Sequence, residues 1–286
     1  MKKTKGYDIS AYVDEIYAQP FEDTKEERIE VALRRGNLSH YRVKTIISGP
    51  IVESEIYPVW TSKKYAPQRP KKKGSSAAQK NLNEKNARKK FCRLLNANFT
   101  SDDIWATFTY DNAHRPESVD AAIKEMQKYI KRLSAYCKKH GLPPLKYLYV
   151  TEYNDDEKKG EKVRVHHHLV TNFRDRDIAE RLWKCGGRTN TRRLQPDDFN
   201  LEGLGHYLTK GKRRWNSSLN LQKPKVYTAD SKFRSMRQVE SLLNPIKAEA
   251  KLSKLYPKFI ILEPPKIYAN EEYGGYYIYT RMRRCE

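Results

Sequence analysis

His166 and His168 stand two apart in the run Val163-Arg-Val-His-His-His-Leu-Val-Thr171, which is otherwise rich in strand-forming residues. A β-strand sends successive side chains to opposite faces. Arg164, His166, His168 and Val170 therefore share one face, and Val163, Val165, His167 and Leu169 share the other. The second set is mostly apolar and faces a core. The first set then presents two imidazoles side by side, with room for one cation between them. Imidazole is the commonest protein metal ligand. Three adjacent histidines also suit a wet surface cluster, and the triplet by itself leaves both readings open.

The segment before it adds a carboxylate. Lys146-Tyr-Leu-Tyr-Val-Thr-Glu-Tyr153 has the aromatic and β-branched content of a second strand, and residues 154–162 form a polar connector containing Gly160. A hairpin turning near Lys159 places Glu152 directly across from His166, where cross-strand side chains lie roughly 5 Å apart. Two imidazoles and a carboxylate suit a divalent cation, Mn²⁺ or Mg²⁺, or Zn²⁺, with open positions for a substrate. The plain alternative for Glu152 is a charged residue at a strand end.

About forty residues on, Pro196-Asp-Asp-Phe-Asn-Leu-Glu-Gly-Leu-Gly-His-Tyr-Leu-Thr-Lys-Gly211 predicts a short helix. Asp197, Asp198 or Asn200 is placed to cap its start and Gly211 to end it. Tyr207 and Lys210 are three apart and so are neighbours on one helical face. Free tyrosine has a pKa of about 10, so only about one molecule in a thousand is a phenolate at pH 7, a gap of roughly 4 kcal/mol. A nearby ammonium and a metal-polarised phosphate are two ways to close it. In a chain with 20 tyrosines, an ordinary amphipathic helix residue is the alternative.

The order of these parts resembles a known family. An apolar strand Ile104-Trp-Ala-Thr-Phe-Thr-Tyr110 comes first, then the Glu152 strand, then His166-His167-His168, then Tyr207-Leu-Thr-Lys210. This is similar to the HUH endonucleases, specifically the single-tyrosine rolling-circle replication initiators of phages and plasmids. The resemblance covers roughly residues 99–225. It implies that His166, His168 and Glu152 hold a divalent cation, Mn²⁺ or Mg²⁺, that Tyr207 is the nucleophile and that Lys210 assists. His167 fills the slot that the family gives to a hydrophobe. Positions four either side of Tyr207 are Gly203 and Gly211, which argues for one catalytic tyrosine, and its place after the histidines favours initiators over conjugative relaxases. A single-tyrosine transposase with the same chemistry, or a non-catalytic nucleic-acid-binding protein, are the alternative readings. The implied partners are single-stranded DNA at a replication origin, with a helicase and a polymerase from the host.

Elements must position these groups, and the chain supplies them in a β-α-β-β-α-β order. Strand 104–110, helix 118–139 capped by Ser118, strand 145–153, strand 163–171, helix 176–185 and strand 188–194 precede the tyrosine helix. This predicts an α+β fold with a ferredoxin-like antiparallel sheet as its core. Before it, His40–Ile47 and Ile51–Trp60 flank the turn signal Ser48-Gly49-Pro50 and read as a hairpin, following short helices expected over residues 8–36. After it, a helix is expected over residues 239–255, then a strand at 258–262 and a final basic strand at 276–284. The divisions are residues 1–62, an extension carrying the hairpin; 63–98, a basic linker and helix; 99–212, the endonuclease core; and 213–286, a basic C-terminal extension.

A net charge of +22 over 286 residues favours a polyanionic partner. Lys89 and Lys90 on the basic helix, Arg164 beside the histidines, and Lys212, Arg213, Arg214 and Trp215 after the tyrosine helix are the expected DNA contacts. Tyr227 and Phe233, also among cations, fit either base stacking or a local core. No apolar run is long enough to span a bilayer, and Met1-Lys-Lys-Thr-Lys-Gly-Tyr7 lacks the apolar stretch of a secretory signal. The four cysteines are scattered, without a CxxC pair, so a cytoplasmic protein with reduced thiols and no membrane partner is expected. No Gly-x-x-x-x-Gly-Lys-Ser/Thr loop occurs, and the chain after Tyr207 is short for a helicase domain, which is why unwinding is assigned to a partner.

Overall fold

The computed structural model describes residues 38–60, 77–153, 165–210, 214–269 and 275–285. The short helices expected over residues 8–36, the basic linker at 62–76 and the connector at 154–162 lie outside the described residues, as do Arg164, Lys212 and Arg213. The chain folds as two compact units. Phe91–Lys223 is one, and Met1–Lys90 with Pro224–Glu286 is the other.

The unit Phe91–Lys223 is an α+β structure. Its strands are β3 (Ile104–Phe108), β4 (Tyr147–Glu152), β5 (His166–Thr171), β6 (Thr189–Arg193) and β7 (Arg214–Ser217), ordered β6-β3-β5-β4-β7 with every neighbour antiparallel. Leaving β7 aside, the spatial order is fourth, first, third, second, which is what a β-α-β-β-α-β chain gives when it closes into an antiparallel sheet. The sequence pattern predicts no strand at Arg214–Ser217; the segment adds itself to the free edge of β4.

Helices cover both faces. The helix α2 (Val119–Lys139) starts on Ser118, whose hydroxyl accepts from the Ala121 N–H, and buries Ala122, Met126, Tyr129, Ile130, Leu133 and Cys137 at helical spacing. With α3 (Arg176–Arg181) it lies over Ile104, Ala106, Phe108, Tyr149 and Leu169. The opposite face of the sheet, built on Leu148, Val150 and Val170, packs against Phe91, Leu94 and Leu95 at the end of α1 (Ala77–Asn98) and against Leu201 and Leu208 of the tyrosine segment. Adjacent residues such as Tyr149 and Val150, or Leu169 and Val170, thus enter different cores, as strand alternation requires.

In the other unit, β1 (Leu38–Ser48) and β2 (Ile51–Trp60) form the expected hairpin through Gly49 at φ 60°. The two ends of the chain come together here. Strand β8 (Lys225–Phe233) pairs with β1, and β11 (Tyr276–Arg284) pairs with β2, with β10 (Lys266–Ala269) and β9 (Phe259–Ile261) both on β11. The helix expected over 239–255 is interrupted. It becomes α5 (Met236–Glu240), a 3₁₀ turn at Ser241–Leu243 and α6 (Pro245–Leu255). Pro245 has no N–H to continue the helix and its ring clashes with the preceding turn, so it starts a new helix at its first position, capped by Asn244. Val239, Leu242, Ala248 and Leu252 bury against Val43, Val52, Ile278 and Met282. Phe233 is buried in this core, while Tyr227 is 56 % exposed.

Candidate functional site

Strand register decides what the histidines face. Glu152 lies directly opposite His166 in the β4–β5 pair, the alignment expected from the hairpin. Glu152 Oε2 stands 3.0 Å from His166 Nε2 and 3.4 Å from His168 Nε2. One ligand atom from each of the three residues lies within 4.8 Å of the other two. This is a compact nitrogen and oxygen donor set at the open end of the sheet. His168 is deeply buried, whereas His166 and Glu152 are each about one quarter exposed, which leaves an approach from solvent.

The ring of His168 is oriented from behind. Its Nδ1 lies 3.1 Å from the Thr107 hydroxyl on β3, which fixes the ring and turns Nε2 toward Glu152. Outer partners of this kind set both the tautomer and the aim of a metal-binding imidazole. Thr107 carried no mark in the sequence beyond its place in an apolar strand; the register Thr107↔His168 gives it its role.

His167 points the other way and is wholly buried. Its Nε2 is 2.7 Å from the Tyr110 hydroxyl and its Nδ1 is 3.0 Å from the Thr151 hydroxyl. Both ring nitrogens are therefore engaged inside the core under α2. Burial, with the adjacent His166 and His168 adding to it, lowers the His167 pKa to about 3, so the ring is neutral and serves as a polar pin for β5. Burial in the same place pushes the Tyr110 phenol up.

Tyr207 comes from α4 (Glu202–Leu208), on the imidazole face. Its ring meets that of His168 edge-on at 5.9 Å between centroids and that of Trp105 at 5.8 Å. Two glycines make this segment a poor helix in isolation, and packing holds it. A Cβ built on Gly205 would stand 2.6 Å from Cys92 Sγ and 3.2 Å from Leu95 Cδ1, so the absence of a side chain lets α4 lie against α1. The start differs from expectation. Leu201 is the N-cap and no side chain of α4 caps it; Asp197 and Asn200 close a tight turn ahead of the helix, with Asn200 at φ 60°. Asn96 of α1 accepts the Leu201 N–H at 3.0 Å and the Asn200 amide at 3.1 Å instead. Thr209 ends the helix two residues before Gly211, and Lys210 follows, exposed, with its N–H turned back to the Tyr207 carbonyl.

The other expected contacts are spread out. Arg214 pairs with Asp120 at 2.9 Å and aligns with Thr151, whose side chain belongs to the His167 face. Trp215, opposite Val150, is half-buried with its ring edge-on to Phe91 at 5.4 Å. Lys89 lies over the Tyr279 ring in the other unit, and Lys90 is exposed.

Residues 103–213 match the family model described as a replication-associated protein of the ORF2 type. This stretch is similar to a replication initiator. It runs from β3 past α4 and contains Glu152, His166, His168 and Tyr207. No curated protein and no solved structure matches the chain. Among the described residues, no helix is long and apolar enough to cross a membrane.

Proposed function

We propose that the protein is a rolling-circle replication initiator that nicks single-stranded DNA at an origin and later rejoins strands. The observation that carries this reading is the Tyr207 ring packed against His168, on the sheet face where Glu152, His166 and His168 converge. The donor set fits a hard or borderline divalent cation such as Mn²⁺ or Mg²⁺: two imidazoles and one carboxylate, close enough to share one ion, with partial exposure for water and phosphate. Bound there, such a cation supplies Lewis-acid polarisation of a phosphate oxygen.

The chain's own residues do the rest. The Tyr207 oxygen attacks phosphorus as its proton is lost, and the bond from phosphorus to the 3′ oxygen breaks. The DNA 5′ phosphate is then esterified to Tyr207, and the 3′ oxygen takes up a proton to leave a hydroxyl that a host polymerase extends. One phosphodiester has replaced another, so the reverse attack by a 3′-hydroxyl reseals a strand. Lys210, just past the helix end, adds positive charge on the side from which the phosphate approaches. The basic segments around Lys89, Lys90, Lys212 and Arg213 hold DNA through phosphates, with affinity falling as salt rises. Strand separation is left to a host helicase.

The test is incubation with single-stranded origin oligonucleotides and Mn²⁺, read on a denaturing gel. Wild type gives a protein–DNA adduct that EDTA abolishes, and Tyr207→Phe gives none. Adduct formation by Tyr207→Phe at the wild-type level refutes the assignment of the nucleophile, and a wild type that binds without any adduct favours the non-catalytic reading.

A further inference from the structure

The imidazole face of the sheet does not stop at the metal ligands. Strand β6 is an edge strand, hydrogen-bonded only to β3 among the described strands. Its two threonines turn toward α3: the Thr191 N–H and hydroxyl donate to Glu180 Oε1 at 3.1 and 2.6 Å, and the Thr189 hydroxyl reaches Glu180 Oε2 at 3.4 Å. Alternation then sends Asn190 and Arg192 to the opposite face. There, Asn190 aligns with Thr107 and so with His168, and Arg192 aligns with Trp105. Both are exposed, and Arg192 Nε donates to Asn190 Oδ1 at 3.2 Å.

Three features of this pair point to a ligand. The guanidinium is held by Asn190 through Nε, so its terminal nitrogens stay available in a fixed plane, the geometry suited to a phosphate. The distance from β6 to β5 is two strand spacings, about 10 Å, so an anion held there belongs to a nucleotide near the one being cut. Trp105, between the two, presents a half-buried ring already in contact with Tyr207. A charged edge strand also discourages edge-to-edge aggregation. That role would be served equally by Arg193, which follows on the same strand but aligns with Ile104 on the other face and binds the Asp102 carbonyl.

We propose that Arg192, positioned by Asn190, is a binding residue for a phosphate of the single strand adjacent to the scissile one. This rests on the single-strand nicking reading above, and deepens it by saying on which side of the metal ligands the strand runs: toward β6.

The test measures binding of fluorescein-labelled single-stranded origin oligonucleotides by anisotropy across a salt series, using full-length protein. Both Tyr207→Phe, which binds without reacting, and wild type serve as parents. Arg192→Ala is expected to weaken binding about tenfold and to lower the slope of log affinity against log salt by about one, while Arg192→Lys recovers part of the loss. Asn190→Ala weakens binding less, and Arg193→Ala leaves affinity near that of its parent. Circular dichroism confirms that each exposed substitution folds. Equal affinity for Arg192→Ala and its parent, or an equal loss in Arg193→Ala, overturns the proposal. Absence of adduct from wild type refutes the nicking reading instead, and the anisotropy comparison then still decides whether Arg192 contacts the strand.

Discussion

Replacing His167 by Leu tests whether the middle histidine is a structural pin. In the native core its two nitrogens satisfy the Tyr110 and Thr151 hydroxyls at 2.7 and 3.0 Å. Leucine is close in size, so the cavity contribution is small; the cost comes from two buried hydroxyls left behind. Each unsatisfied buried group costs about 1–3 kcal/mol. The Tyr110 hydroxyl retains the Ala122 carbonyl at 3.3 Å, which softens its loss, whereas Thr151 is fully buried. The expected destabilisation is about 2–4 kcal/mol, a shift of the urea midpoint of roughly 1 M or more. Tryptophan fluorescence follows it, because Trp105, Trp183 and Trp215 lie in the unit Phe91–Lys223 and Trp183 packs 6.1 Å from His167. Removing both partners together should be nearly neutral. The triple variant Tyr110→Phe, Thr151→Val, His167→Leu is therefore expected within about 1 kcal/mol of wild type. An unchanged midpoint for His167→Leu, or a triple variant weaker than the single one, would sink the reasoning.

Two further outcomes follow from the site's supports. Thr107→Val leaves His168 in place but removes the hydroxyl that orients it, so Mn²⁺ affinity measured by titration calorimetry is expected to fall about 10–100-fold; wild-type affinity would show that the ring needs no such partner. Gly205→Ala introduces a Cβ 2.6 Å from Cys92 Sγ, so the loss from overpacking, about 1–3 kcal/mol, outweighs the roughly 1 kcal/mol that alanine gains over glycine in a helix. Adding Cys92→Ala removes the clashing sulfur and should restore the urea midpoint, and failure to do so would place the strain elsewhere.

Much of the site was legible because its signals are local. Two-residue alternation in 166–171 separates His166 and His168 from His167, and a hairpin with a polar connector aligns Glu152 with His166. Ser118 and the helical spacing from Val119 onward fix α2 in the same way. Such patterns act between residues a few positions apart, so they can be read without knowing the fold.

Tertiary structure decided what depends on partners far along the chain. The cap on the tyrosine segment is Asn96, more than a hundred residues earlier, so the Asp197 and Asn200 pattern predicted the wrong acceptor. His167 reads as a departure from an apolar slot until Tyr110 is folded beside it, 57 positions away. Strands β1 and β8, and β2 and β11, meet across nearly the whole length of the chain. Backbone pairing at that separation leaves no periodic trace in either segment. The sequence determined which groups share a face; only packing of distant segments determined which faces meet, because burial of apolar surface is non-directional and its partners are selected by the whole core.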